Sequence, residues 1–206
     1  MLMILVSWEV KVVLEGLIIG ILIGYMRKGE LKRLGDLKIR GKTFIFLSFI
    51  IQMSFLLLNT GLLDLDFSYY EIVLAISYGF ILISLVINWK IKYVPIIFAG
   101  SVLNISTFIY NGFAIGITEN AAKIAFSKEI FQLVSEGNIK LFKIIRDNNF
   151  FAGGFIPWNR MLVLPSAVSL GDVVIFVGVI MTVQNLMINK IRFRRSNVTF
   201  SKGLFK

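Results

Sequence analysis

Residues 100–112 read GSVLNISTFIYNG, and this stretch decides how the rest of the chain is expected to fold. It is apolar and of helical length, yet it contains two amides, Asn104 and Asn111. On an α-helix this spacing places both amides on nearly the same face, roughly 10 Å apart along the axis. Because an amide that faces lipid without a partner destabilises a helix, both are expected to face other helices. The stretch therefore predicts the inner face of a small helical bundle in a membrane.

The composition is typical of a polytopic membrane protein. Of the 206 residues, 57% are hydrophobic and only 17% are charged, and the mean hydropathy is +0.82. Soluble domains carry about 25% charged residues. At about 20 residues for each span, the length suits roughly four to six spans. The predicted fold class is all-α: one integral membrane domain, residues 1–206, with about five transmembrane helices and an interfacial amphipathic segment.

Two residue types are missing from the chain, which has neither cysteine nor histidine. Their absence excludes Cys/His zinc sites, His-ligated haem, thiol redox chemistry and His-based catalytic triads. No cofactor and no metal is expected. The net charge of +10 falls mostly in loops and in the tail. Topology and anionic lipid headgroups explain such a distribution better than nucleic acid does. The lipid bilayer is therefore the expected partner, and no nucleic acid is expected.

Five apolar runs predict the spans, and the charges between them predict the orientation. Residues 27–42 carry seven basic side chains, and basic residues also follow the third and the last runs. Short basic segments lie on the cytoplasmic side, so the N-terminus is predicted outside and the C-terminus in the cytoplasm of a cell-membrane protein. The basic loop also admits a phospholipid or nucleotide site. The predicted spans cover about residues 3–26, 43–63, 71–89, 93–117 and 169–190.

Residues 118–168 differ from the predicted spans and are expected on the outer side. From Glu119 to Glu136, and again over residues 139–147, apolar and polar residues alternate at helical spacing. This pattern predicts helices lying in the membrane interface. The Gly/Pro/aromatic loop at residues 148–158 is either an aromatic belt, or a lid or re-entrant turn. The whole segment is thus a lid, a re-entrant loop or a docking surface.

Few polar residues fall inside the apolar runs, and each has a structural and a functional interpretation. Glu15 either pairs with Lys11 at i,i+4 or is a functional carboxylate near mid-membrane. Interhelical amides either line a site or serve as hydrogen-bond glue, worth about 0.6 kcal/mol each on average. The candidate ligand-binding or polar-core residues are Asn104, Asn111, Gly112, Asp172, Gln52 and Glu15.

The last run opens on Ser169-Leu170-Gly171-Asp172, a spacing that resembles a capping box. In the structural interpretation Asp172 stabilises the helix N-terminus through backbone N–H groups and the helix dipole. In the functional interpretation it faces a site at the outer end of the bundle, within reach of Asn111.

Short motifs along the chain resemble a known family. They are GYMRKGEL at residues 24–31, Gln52 inside the second run, Leu103-Asn104, Asn111-Gly112, and the Ser-x-Gly-Asp start of the last run. As an ordered set they resemble the uncharacterised bacterial multi-pass membrane family called domain of unknown function 5317, over nearly the whole chain. The resemblance implies a bacterial integral membrane protein and no particular activity. In the family pattern a second Gly and then Met-Pro follow Asn-Gly, whereas Phe113 follows here, so a different turn is expected.

Three functions are compatible with these residues. The favoured one is a small binding or transport component with an outward-facing polar pocket between helices. The alternative is an accessory or structural subunit of a membrane complex, whose partner would be another membrane protein. A carboxylate-based membrane enzyme is least favoured, because the outer carboxylates Asp64 and Asp66 lack any flanking motif. An open cavity at the amides favours binding, and a packed interior favours an accessory role.

Overall fold

The computed structural model describes residues 8–59, 70–139, 142–146, 153–158 and 166–189, and these residues are mainly helical. The helices are α1 Trp8–Met26, α2 Lys32–Gly35, α3 Lys42–Asn59, α4 Tyr70–Ile87, α5 Val94–Tyr110, α6 Glu119–Ala125, α7 Lys128–Ser135 and α8 Leu170–Ile188. Four short strands accompany them: β1 Ile115–Thr118, β2 Phe142–Ile145, β3 Ile156–Trp158 and β4 Ser166–Val168. The predicted all-α class therefore holds for the long helices and needs correction for the strands.

The five long helices correspond to the five apolar runs. In the described part of the chain, one helix, α8, is long and apolar enough to cross a membrane by length and composition. Four shorter apolar stretches lie in the other long helices: Val12–Met26, Lys42–Ser54, Ile72–Ile87 and Val94–Tyr110. The predicted start of the first run and the tail beyond α8 lie outside the described residues.

The long helices pack in the order α1, α8, α5, α4 and α3, with α8 between α1 and α5. Gly16 lies against Val179 and Gly20 against Val183, so α1 and α8 run parallel. The pairs α8–α5, α5–α4 and α4–α3 are antiparallel. As a result, residues 27–42 and the last turn of α8 lie at one end of the bundle. There the Glu30 amide donates to the Met187 carbonyl oxygen at 3.0 Å.

Glycines permit the close contact between α1 and α8. Gly16, Gly20 and Gly24 recur every four residues and form a stripe along one face of α1. A Cβ added at Gly20 would lie 2.9 Å from the Cβ of Val183, closer than such atoms approach in proteins. Small residues of this kind let neighbouring helices pack closely.

The long helices expose many large apolar side chains and bury several polar ones. Large apolar side chains point outward: Leu22 is 58% exposed, Phe46 63% and Ile72 58%. Polar side chains lie inside, among them Glu15, Ser48, Ser77, Ser84, Asn88, Ser101 and Asp172. In water, buried residues are mostly apolar and charged side chains are almost never fully buried. The prediction that polar groups face one another holds for Ser48 and Ser77, whose hydroxyls lie 3.2 Å apart. It does not hold throughout, because Ser101 bonds to a carbonyl oxygen of its own helix and Ser106 is exposed.

Helix α5 ends at Tyr110, earlier than the predicted end of the fourth span at residue 117. Asn111 caps the helix, and Gly112 (φ +74°) and Phe113 (φ +61°) follow in left-handed conformation. A left-handed residue after the cap commonly terminates a helix, and glycine adopts it without steric cost. The chain then continues as β1, at the end of the bundle opposite residues 27–42.

Strands and short helices close this opposite end of the bundle. We call the part formed by β1, α6, α7, β2, β3 and β4 the cap. Strand β1 pairs with β2 in parallel, β3 pairs with β4 antiparallel, and Gly154 bridges to Ile117. The prediction of a helix over residues 139–147 is wrong where β2 lies, because the backbone there pairs with β1.

The amphipathic helix α7 turns its apolar side toward the cap itself. Val134 is buried in a cluster with Ala121 and Ala122 of α6, and Phe131 packs against that cluster. The apolar face that predicted an interfacial helix is thus at least partly occupied within the protein. Most of the aromatic loop predicted as a belt or lid, including residues 148–152, lies outside the described residues.

Candidate functional site

A closed set of hydrogen bonds joins the middle of α5 to the first turn of α8. Asn104 Nδ2 donates to Asp172 Oδ1 at 2.7 Å, and Ser169 Oγ donates to Asn104 Oδ1 at 2.8 Å. The Ser169 amide donates to Asp172 Oδ2 at 2.9 Å, and the Asp172 amide donates to Ser169 Oγ at 3.0 Å. We call Asn104, Ser169 and Asp172 the polar ring. Each member uses the other two as partners.

The local sequence explains half of this ring. Ser169 and Asp172 form the capping box predicted from their spacing, and the structure confirms it. The carboxylate also lies at the N-terminus of α8, where the helix dipole stabilises negative charge. Asn104 adds one hydrogen bond to the Asp172 carboxylate and accepts one from the Ser169 hydroxyl, so the capping box of α8 also joins that helix to α5.

Glycine makes room for the joint. A Cβ added at Gly171 would run into the side-chain oxygen of Asn104, and one added at Gly100 would lie 2.7 Å from the Gly171 carbonyl oxygen. Farther along the same interface, a Cβ at Gly178 would lie 2.8 Å from Ile97. The glycine of the Ser-x-Gly-Asp motif therefore has a steric role, since it lets Asn104 reach Asp172.

A small cavity of about 50 Å³ lies beside the polar ring, between the long helices and the cap. All three ring residues line it, together with Thr107 and Tyr78. Because a buried water needs at least about 10–15 Å³ of such space, the cavity has room for a few waters or one small solute. It is far smaller than the roughly 300–1,000 Å³ of a drug-sized ligand site.

Glycine backbone of the cap forms the wall opposite the ring. The Gly154 amide donates to the Gly116 carbonyl oxygen at 2.9 Å, and the Gly154 carbonyl oxygen accepts from the Thr118 amide at 2.9 Å. A Cβ at Gly153 would run into the Gly116 backbone. Gly116, Gly153 and Gly154 all line the cavity. Sequence reasoning missed Ser169, Gly153 and Gly154 as cavity residues, although the Gly-Gly pair in the aromatic loop was a detectable signal.

Asn111 and Gly112 do not line the cavity with the polar ring. The Asn111 amide nitrogen donates to the Thr107 carbonyl oxygen at 2.8 Å, and its own carbonyl oxygen lies 3.4 Å from the Lys143 ammonium. Asp172 was predicted within reach of Asn111, but its hydrogen-bond partner on α5 is Asn104, about two helical turns earlier. Asn111 therefore terminates α5 and, through Lys143, connects that helix to the cap. Gly112 supplies the turn that follows.

Gln52 belongs to a separate polar cluster between α3 and α4. Its amide nitrogen donates to Ser77 Oγ at 3.0 Å and to Ser48 Oγ at 3.3 Å, and the two hydroxyls lie 3.2 Å apart. At the far end of the same interface Asn88 Nδ2 donates to the Arg40 carbonyl oxygen at 2.8 Å. These bonds match the interpretation of Gln52 as interhelical glue.

Glu15 is buried in α1, and none of the described cavity-lining residues comes from that helix. The side chain of Lys11, its predicted i,i+4 partner, lies outside the described residues, as do Asp64 and Asp66. The described residues contain no group of three or more Asp, Glu, His or Cys side chains that could hold a metal ion.

These features define a class of protein: a bundle of five long apolar helices with inward-facing polar groups, closed at one end by a small cap over a polar ring. The chain belongs to the family of unknown function DUF5317, whose model matches residues 36–184. The match contains α3, α4, α5, the cap and most of α8, and it confirms the family that the motifs suggested. The motif at residues 24–31 lies outside the matched range. No curated protein and no solved structure matches the chain.

Proposed function

We propose that this protein is a multi-pass integral membrane protein that binds a small polar solute beside the polar ring, at the outer end of its bundle. The observation that carries the proposal is the cavity of about 50 Å³ into which Asn104, Ser169 and Asp172 present a carboxylate, an amide and a hydroxyl. Sites of this kind fix a ligand with a few converging polar groups.

The membrane part of the proposal is supported by helix length and by the exposed surface. The five long helices have 17 to 19 residues, which corresponds to roughly 25–29 Å, close to the hydrocarbon thickness of a bilayer. Their outward faces carry Leu22, Phe46 and Ile72, while Ser48, Ser77 and Asp172 are buried. Lipid is the solvent in which such a surface is stable.

The charge distribution supports one orientation. The end of the bundle with residues 27–42, Lys90 and Lys92 is strongly basic, whereas Glu119, Glu129 and Glu136 offset the basic side chains of the cap. By the positive-inside rule, the basic end lies in the cytoplasm and the cap lies outside. A solute would then reach the polar ring from the outer side.

The ring chemistry favours a solute that donates hydrogen bonds. Among the described residues, the Asp172 side chain bonds to Asn104 and Ser169, neither of which is basic. A small cationic or amine-bearing solute would both fit the volume and pair with the carboxylate. The size of the cavity limits such a ligand to a few heavy atoms.

An accessory subunit of a membrane complex is the second candidate. It is favoured by the closure of the ring, since Asn104, Ser169 and Asp172 already use one another as partners. In that case the ring is a structural joint, and the cavity holds only water.

Thermal unfolding of the purified protein in detergent distinguishes the two candidates. The Asp172→Asn variant removes the charge and keeps a side-chain oxygen that can accept from the Ser169 amide. We expect ammonium or methylammonium to raise the Tm of the wild type and to leave that of Asp172→Asn unchanged. Glu129→Gln, which alters a carboxylate in the first turn of α7, is the matched control and should respond like the wild type. Equal responses of wild type and Asp172→Asn would contradict solute binding at the ring.

A further inference from the structure

A second and larger groove lies at the opposite end of the bundle, where α1 and α8 end and α5 begins. Its volume is about 240 Å³. We call it the basic groove, after two cationic side chains in its wall, Arg27 and Lys92. Amides of Gln184, Asn185 and Asn189 complete the polar wall, and Met181 and Ile188 add apolar surface.

Arg27 is held in place and keeps donors to spare. Its Nη1 donates to Gln184 Oε1 at 3.0 Å, the one hydrogen bond recorded for its side chain among the described residues. Arg33, in α2, is different: it bonds to both carboxylate oxygens of Glu30 and to the carbonyl oxygens of Met187 and Ile188. A guanidinium has five N–H donors, so Arg27 can still bind an oxyanion in bidentate fashion, whereas Arg33 is occupied.

Lys92 and Tyr93 form the other side of the groove. The Lys92 ammonium lies 4.9 Å from the centre of the Tyr93 ring. Tyr93 has φ +72°, a left-handed conformation that a bulky residue rarely adopts. Such strain persists only where the surrounding structure holds it, and it clusters at functional positions. Here the strained residue directly precedes α5, and the preceding residue contributes its cation to the groove.

The described lining residues supply two cations and three amides, and none of them is acidic. Phosphate oxygens are bound by Arg and Lys side chains and by amide donors in this way. We propose that the basic groove binds a phosphate group, either the headgroup of an anionic phospholipid or a soluble phosphomonoester. The apolar surface from Met181 and Ile188 suits the glycerol and first methylenes of a lipid. The groove lies at the opposite end from the polar ring, so this proposal stands or fails separately from solute binding there.

Native mass spectrometry of the protein released from nanodiscs tests the proposal. Phosphatidylglycerol is compared with phosphatidylcholine for the wild type, Arg27→Gln/Lys92→Gln, and the control Lys32→Gln/Lys90→Gln. The control removes the same charge from exposed residues outside the groove wall. We expect the wild type and the control to retain phosphatidylglycerol preferentially, and the groove variant to lose that preference about tenfold or more.

A second variant tests whether loss of lipid binding could instead result from misfolding. Gln184→Glu keeps the size of the side chain and gives Arg27 a carboxylate partner, so it should weaken phosphate binding while the Tm is maintained. Competition with glycerol 3-phosphate separates the two sources: displacement of bound lipid indicates a soluble phosphomonoester, and no displacement indicates a phospholipid. Equal loss of lipid in the control, or full retention in both groove variants, would overturn the proposal.

Discussion

The side-chain amide of Asn104 lies 2.7 Å from a carboxylate oxygen of Asp172, and this bond ties the middle of α5 to the first turn of α8. Ser169 and Asp172 form a complete capping box at the N-terminus of α8, so the helix end is satisfied without Asn104. The second helix enters the network through Asn104 and receives a bond from the Ser169 hydroxyl at 2.8 Å. The capping box of α8 therefore also forms a contact between α8 and α5, and the strength of that contact can be measured.

The first prediction concerns the strength of this bond. A double-mutant cycle with Asn104→Ala and Asp172→Ala should give a coupling of about 1.5 kcal/mol or more, since hydrogen bonds to charged groups are worth about 1.5–3 kcal/mol. The same cycle for Gln52 and Ser77 joins uncharged groups and should give about 0.6 kcal/mol, the average for interhelical bonds in a membrane. Reversible unfolding in mixed micelles measures both. A coupling near zero at the first pair would show that the ring does not hold α5 to α8.

The second prediction concerns the glycine beside the ring. Gly171→Ala should destabilise the protein, because the new Cβ would collide with the side-chain oxygen of Asn104. Gly79→Ala, inside α4, is the matched control, because a Cβ there meets no atom within 4 Å. The control should be neutral or stabilising by up to about 1 kcal/mol, since alanine favours helix more than glycine does. Thermal unfolding of both variants tests the pair, and an equal Tm for Gly171→Ala and the wild type would refute the steric role.

The third prediction separates lipid from water as the medium around the long helices. Ile18 is 43% exposed near the middle of α1, and Ile39 is 37% exposed in the basic loop. If lipid surrounds α1, Ile18→Lys should cost about 2.5–3.5 kcal/mol of insertion free energy, whereas Ile39→Lys should cost little. The fraction of each variant recovered in the membrane pellet and its Tm measure the difference. Improved yield of Ile18→Lys in the soluble fraction would argue for water.

The sequence predicts the long helices well because their signals are local. Predicted runs 43–63, 71–89 and 169–190 lie close to α3, α4 and α8, and the capping box appears where its spacing predicts it. Apolar runs and caps are properties of neighbouring residues, and tertiary contacts need not be known to find them.

The cap could not be predicted in the same way. Strand β2 carries apolar and basic residues that fit an amphipathic helix, but it pairs with β1, which lies more than twenty residues earlier in the chain. β-Propensity depends on such partners, and a single sequence does not reveal them. The end of α5 was also missed, because the left-handed conformation of Phe113 is unusual for a bulky residue.

The candidate site was predicted in part. Asn104 and Asn111 were expected to point into the bundle, and Asp172 was expected within reach of Asn111. Asp172 bonds to Asn104 instead. Spacing alone could not choose between Asn104 and Asn111 as the partner of Asp172, because both lie on one face of α5. Which amide bonds to Asp172 depends on how far α8 is shifted along the axis of α5. The close contact of Gly100 with Gly171 fixes that position.

Site-directed labelling of single cysteines shows which parts of the chain share one side of the membrane, and the chain has no cysteine of its own to remove. Lys38→Cys and Lys90→Cys lie at the basic end of the bundle, and Ser135→Cys lies in the cap. With a membrane-impermeant maleimide, we expect Ser135→Cys to be labelled in intact cells and the other two to be labelled only after permeabilisation. Labelling of Lys38→Cys and Lys90→Cys on opposite sides of the membrane, or equal labelling of all three in intact cells, would contradict this expectation.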